Sequence, residues 1–125
     1  MISNTSQCGT VLVVEDDDDI RESLKDGLES EGFTVDVARN GKEALNLLRS
    51  KESPCLVLLD MMMPVMDGRG FLDEILKDST LSKIPICVVS ATATRLDITG
   101  AIGFLKKPVD LDVVLNLVSE HCKCK

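Results

Sequence analysis

Short apolar runs alternate along this chain with longer amphipathic segments, and no other feature of the sequence restricts the fold as strongly. Residues 10–14 ("TVLVV"), 33–38 ("FTVDVA"), 55–60 ("CLVLLD"), 85–90 ("PICVVS") and 101–106 ("AIGFLK") read as strands. Residues 18–31 carry Ile20, Leu24 and Leu28 at four-residue spacing, the repeat of one helix face, and Gly32 follows as a C-terminal cap. Residues 40–51 place Ala44, Leu45 and Leu48 on an inner face, and residues 67–77 carry Phe71, Leu72, Ile75 and Leu76 at helical spacing. After Pro108, Asp110 is the N-cap candidate of a last helix with Val113, Val114, Leu117 and Val118 turned inward. "CLVLLD" is apolar up to its last residue, as a central parallel strand covered on both faces is. "FTVDVA" alternates, as a half-buried or edge strand does.

Strands alternating with helices give a parallel sheet with helices on both faces, joined by right-handed crossovers. A closed barrel needs eight such units and this chain holds only five. The expected fold is an open, doubly wound α/β sheet. With 125 residues there is room for one core, and no linker, repeat or composition shift divides it. The expected boundaries are a polar lead-in over 1–8, the domain over 9–121 and a short tail over 122–125.

In sheets of this kind ligands bind beyond the carboxyl ends of the strands, where the strand order reverses. The first run opens into five consecutive carboxylates, Glu15, Asp16, Asp17, Asp18 and Asp19. The third ends in Asp60, the fourth in Ser90, and the fifth near Lys106 and Lys107. Carboxylates gathered in one pocket cannot all stay charged without compensation. Oxygen donors suit Mg²⁺ or Mn²⁺, and Mg²⁺ keeps waters and accepts a phosphate oxygen. The edge therefore reads as a site for a divalent cation and a phosphoryl group. One carboxylate could be the nucleophile, with a hydroxyl and a lysine holding the phosphoryl oxygens.

Four stretches, "VLVVEDD", "LLDMMMPVMDG", "VVSA" and "GFLKKPV", stand in order at the strand ends, and with them the sequence resembles the response-regulator receiver domain. This is the CheY-like phospho-acceptor of two-component signalling, and the resemblance spans residues 9–121. It implies a flavodoxin-like five-stranded sheet of order 2-1-3-4-5. It implies Asp60 as the phosphorylated aspartate and Glu15 and Asp16 as the acidic pair for Mg²⁺, Asp16 the more direct ligand. The main-chain carbonyl of Met62 would complete the metal site. Ser90 matches the hydroxyl that bonds the phosphoryl group, Lys107 the lysine of the pattern, and Phe104 the aromatic that follows activation. A histidine kinase or phosphotransfer protein would be the donor, a further protein the target, and the chain a monomer or a phosphorylation-dependent dimer. The expectation is a stand-alone cytoplasmic switch, not a turnover enzyme.

Two departures from the family pattern bear on this. Ser90 and Lys107 stand closer together than in relatives, so the helix between the fourth and fifth strands is expected to be shortened or missing. Met62, two residues beyond Asp60, cannot orient a hydrolytic water, which implies a long-lived phospho-form. Two rival classes remain open: a receiver-fold adaptor that never cycles, and an Asp-dependent phosphohydrolase. The latter usually has a second acid where Met62 stands.

The remaining signals point elsewhere. The net charge of −7 argues against nucleic acid, which needs basic patches. No apolar run approaches a membrane span, and "MISNTSQCGT" lacks the basic start and apolar core of a secretory signal. An EF-hand is excluded, because no frame starting at Glu15 or Asp16 has Gly sixth and Glu twelfth. Asp17 fits either an N-cap or the pocket rim, while Asp18 and Asp19 fit the first turn of a helix, where its dipole favours them. Met61, Met62, Met63 and Met66 read as packing, and "HCKCK" as a fraying tail lacking a fourth metal ligand. Cys8, Cys55, Cys87, Cys122 and Cys124 are odd in number and scattered, so reduced thiols are expected.

Overall fold

A computed structural model of the chain describes residues 9–50, 54–60, 68–90, 102–106 and 110–122; of Arg69, Ser90 and Phe104 only the backbone is described. The elements are β1 (Thr10–Val14), α1 (Asp18–Ser30), β2 (Thr34–Ala38), α2 (Gly41–Ser50), β3 (Leu56–Asp60), α3 (Gly68–Lys77), a 3-10 turn (Leu81–Lys83), β4 (Ile86–Ser90), β5 (Gly103–Lys106) and α4 (Leu111–His121). All five strands pair in parallel, in the order β2-β1-β3-β4-β5. The shortened or missing helix expected between the fourth and fifth strands falls outside the described residues.

Successive strand residues point to opposite faces, and the core divides accordingly. Leu12, Val14, Val57 and Leu59 pack with Leu45 and Leu48 of α2 and Phe71 and Ile75 of α3. Val11, Val13, Leu56 and Leu58 pack with Leu24 and Leu28 of α1 and Val114 and Val118 of α4. Apart from their end residues the central strands are therefore apolar, because both of their faces are covered. Two sequence expectations need correcting. Val113, read as inward, is 46% exposed, and Leu76 is 45% exposed. Helical spacing gives the angle of a residue but not the width of the arc that the neighbouring sheet covers.

The helix ends follow their sequence signals. Asp17 is the N-cap of α1, its carboxylate accepting from Ile20 N at 3.0 Å, which settles its place between cap and pocket rim. Asn40 opens α2 by accepting from Glu43 N at 2.9 Å, while Glu43 accepts in return from Arg39 N at 2.9 Å. That bond, first among its contacts with Arg39, lowers the pKa of Glu43. Helix α1 closes in a Schellman pattern, with Gly32 N donating to Glu29 O and Phe33 N to Leu28 O. Gly32 has φ 97°, left-handed backbone that a Cβ opposes. Gly32→Ala is expected to cost about 1–2 kcal/mol, read as a lower urea midpoint at unchanged slope.

The cysteines depart from the sequence reading. Cys55, just before β3, and Cys122, at the end of α4, form a disulfide with Cα atoms 5.3 Å apart and a sequence separation of 67. Cys122, the first residue of the expected tail, is buried. A Cβ on Gly9 would stand 2.7 Å from Cys55 Sγ, so the pair is seated where β1 begins without a side chain. Cys55 Sγ also lies 3.2 Å from Thr10 O, a contact that only the thiol form has a proton to donate to. The disulfide and that hydrogen bond are alternatives. Cys87 is a free thiol buried in β4, and burial pushes its pKa up to about 11.

Candidate metal and phosphoryl site

The chain leaves β1 toward β2 on one side and returns through β3 on the other, so the order reverses between β1 and β3. Val14 and Leu59 are register partners there, and the next residues along both strands are acids. Glu15 extends the β1–β2 ladder by one bond, Glu15 N to Ala38 O at 3.0 Å. Asp60 is the last residue of β3, in register with Val89 of β4. Both side chains are buried, at 2% and 3% exposure, although buried carboxylates are rare without partners. Asp16 follows Glu15 in the bend before α1 and is exposed.

One carboxylate oxygen from each of Glu15, Asp16 and Asp60 lies within 4.8 Å of the others. Three oxygen donors so close, two walled from water and one open, fit a hard divalent cation that retains part of its water shell. They do not fit a soft metal, which would select thiolate or imidazole. Glu15 also fixes its own loop, since Asp17 N donates to Glu15 Oε2 at 3.1 Å.

The structure brings together the three predicted carboxylates. Ser90 closes β4 in register with Lys106 of β5, which places its backbone one strand beyond Asp60. Phe104 lies in β5 beside Val88, and Lys106 is exposed at the strand end. Met62 and Lys107 lie outside the described residues, as do the side chains of Ser90 and Phe104. One residue escaped the sequence reading. Arg21, on the first turns of α1, is buried beside the acid pair and bonds its backbone. The signal was an arginine three residues after Asp18, within reach of it along one helix face.

An open α/β sheet with an acidic trio at its switch point offers three clustered oxygen donors that fit a divalent cation. The response regulator receiver domain family model matches residues 11–119, and the chain belongs to that family, the CheY-like receivers of two-component signalling. It is 38% identical over 117 residues to an uncharacterized 14.6 kDa protein of Leptolyngbya boryana, covering 90% of this chain and 88% of that one. It is 37% identical to the response regulator Rre1 of Synechocystis over 90% of this chain and 52% of that protein. The chain thus spans about half the length of Rre1 and of the similar response regulator MprA of Mycolicibacterium vanbaalenii, of which it covers 46%. The receiver domain of Francisella response regulator 1452 superposes with a TM-score of 0.81 at 29% identity, over 90% of this chain and 94% of that one. The chemotaxis protein CheY4 of Vibrio cholerae also superposes with a TM-score of 0.81, at 26% identity, over 90% and 97%. Among the described residues no helix is long and apolar enough to cross a membrane.

Proposed function

We propose that this chain is a stand-alone cytoplasmic receiver whose Asp60 takes a phosphoryl group from a phosphohistidine on a sensor kinase or phosphotransfer protein. The observation that carries the reading is the convergence of Glu15, Asp16 and Asp60 at the switch point of the sheet. An Asp60 carboxylate oxygen attacks phosphorus, the P–N bond breaks, the imidazole leaves with the electron pair, and an acyl phosphate remains. A Mg²⁺ or Mn²⁺ ion held by Glu15, Asp16, Asp60 and the Met62 carbonyl would neutralise the trio and offset charge on a phosphoryl oxygen. Lys107 supplies a second positive charge and Ser90 a hydroxyl to the remaining oxygens. Ser90 and Phe104 then change state with the phosphoryl group and alter a surface read by a protein target. The chain acts on its own aspartate, as a switch and not a turnover enzyme.

The test is an intact mass after incubation with Mg²⁺ and acetyl phosphate. One phosphoryl adduct per chain, absent when EDTA replaces Mg²⁺, is the expected result. No adduct would favour the non-cycling adaptor, and many turnovers of a phosphomonoester would favour the phosphohydrolase.

A further inference from the structure

The charged residues buried among the described residues are Glu15, Arg21 and Asp60. Two belong to the acidic trio; the third is a cation one helical turn away, and a buried guanidinium is tolerated only where its donors are matched. The partners of Arg21 are specific. Nη1 donates to Glu15 O at 3.0 Å and reaches Asp16 O at 3.5 Å. Nη2 pairs with the carboxylate of Asp18, whose side chain is itself 80% exposed. The guanidinium therefore touches the main chain of both acids and, among the bonds described, neither acid's carboxylate.

We propose that Arg21 is a positioning residue for the cation site, clasping the carbonyls of Glu15 and Asp16 so that their carboxylates stay aimed at Asp60. The inference rests on the reading of this pocket as a divalent-cation site. The bend from Glu15 to Asp17 has to turn the chain from β1 into α1 while presenting two like charges to a third, an arrangement that repulsion works to open. Among the bonds described, the Asp17 N–Glu15 Oε2 bond, the Asp17 cap on Ile20 N and the Arg21 clasp close it, and of these the clasp spans both acids. Asp18, beyond its place in the first turn, holds the guanidinium in the plane from which Nη1 reaches the carbonyls.

Charge and positioning predict opposite signs, which makes the role testable. If Arg21 acted only as a nearby positive charge, removing it would tighten cation binding. If it positions the bend, removing it weakens binding. Mn²⁺ affinity, measured from the electron paramagnetic resonance signal of the free ion, reads this without phosphorylation. Arg21→Met keeps the apolar stem and removes every donor; it is expected to weaken Mn²⁺ binding roughly tenfold or more. Arg21→Lys keeps the charge but loses the planar fork, and is expected to fall between wild type and Arg21→Met. Amide exchange at Glu15, Asp16 and Asp17 should quicken in both variants while β3 stays protected. Should Arg21→Met fail to fold, Arg21→Lys carries the test alone. Unchanged or tighter Mn²⁺ binding in a folded variant would overturn the proposal and leave the metal site standing. A wild-type chain that binds no Mn²⁺ would overturn both.

Discussion

Asp60→Asn is expected to remove the phosphoryl adduct completely, with no adduct in the intact mass at any time after acetyl phosphate and Mg²⁺ are added. The substitution keeps the shape of the side chain and takes away its charge. A carboxamide oxygen is a far weaker nucleophile than a carboxylate, and none of the other acids stands where Asp60 does, at the buried end of β3. The same change replaces one of the trio's three carboxylates with a neutral amide, so it should also weaken the cation site. At about ten times its dissociation constant Mg²⁺ adds about 1.4 kcal/mol to the stability of a folded chain that binds it. That increment is expected to shrink in Asp60→Asn and, independently, in Asp16→Asn. Asp16→Asn should still accept a phosphoryl group, only more slowly. An adduct of wild-type yield on Asp60→Asn would move the acceptor to another carboxylate.

Opening the Cys55–Cys122 link is expected to produce the largest change in stability. The link closes a chain segment of 67 positions. In the chain-entropy account a loop of that length contributes about 4 kcal/mol, by restricting the unfolded state. For a domain of this size that corresponds to a fall in Tm on the order of 10–20 °C. Differential scanning calorimetry with and without reductant measures it, and Cys55→Ser with Cys122→Ser should reproduce the reduced value. The buried Cys87 thiol should stay intact in both states, since its pKa of about 11 keeps it protonated at neutral pH. Equal melting curves with and without reductant would show that the link contributes nothing. The link sits where β1 and β3 begin, at the opposite end of these strands from the acidic trio. Phosphoryl transfer should therefore proceed in both redox states.

Much of the site was legible along the chain because it is written at strand ends. An apolar run that closes on an acid has one physical meaning in a parallel sheet: the strand is covered on both faces and its last side chain opens into the crevice. Glu15, Asp16 and Asp60 were each found that way, and the structure gathers them within 4.8 Å. The acidic run divided only in part along the sequence: Asp18 and Asp19 enter the first turn of α1 as read, whereas Asp17 fitted cap or rim and only the structure makes it the N-cap. Arg21 was not. In a linear reading it is one more charged residue on an amphipathic helix, and nothing local shows that its face lies against the β1–α1 bend. The exposure of Val113 was hidden for a related reason, because the covered arc of α4 is set by where the sheet ends.

By itself the sequence determined the layer architecture, the parallel order of elements and the acids at the switch point, because hydrophobic periodicity and strand-end polarity act through near neighbours. The tertiary structure alone decided which distant groups meet. It set Cys122 against Cys55 across 67 positions and turned Arg21 from a surface charge into a clasp on Glu15 and Asp16. Such pairings depend on how helices settle on the two faces of the sheet. That settling is fixed by packing of the whole core, and no single stretch of the chain contains it.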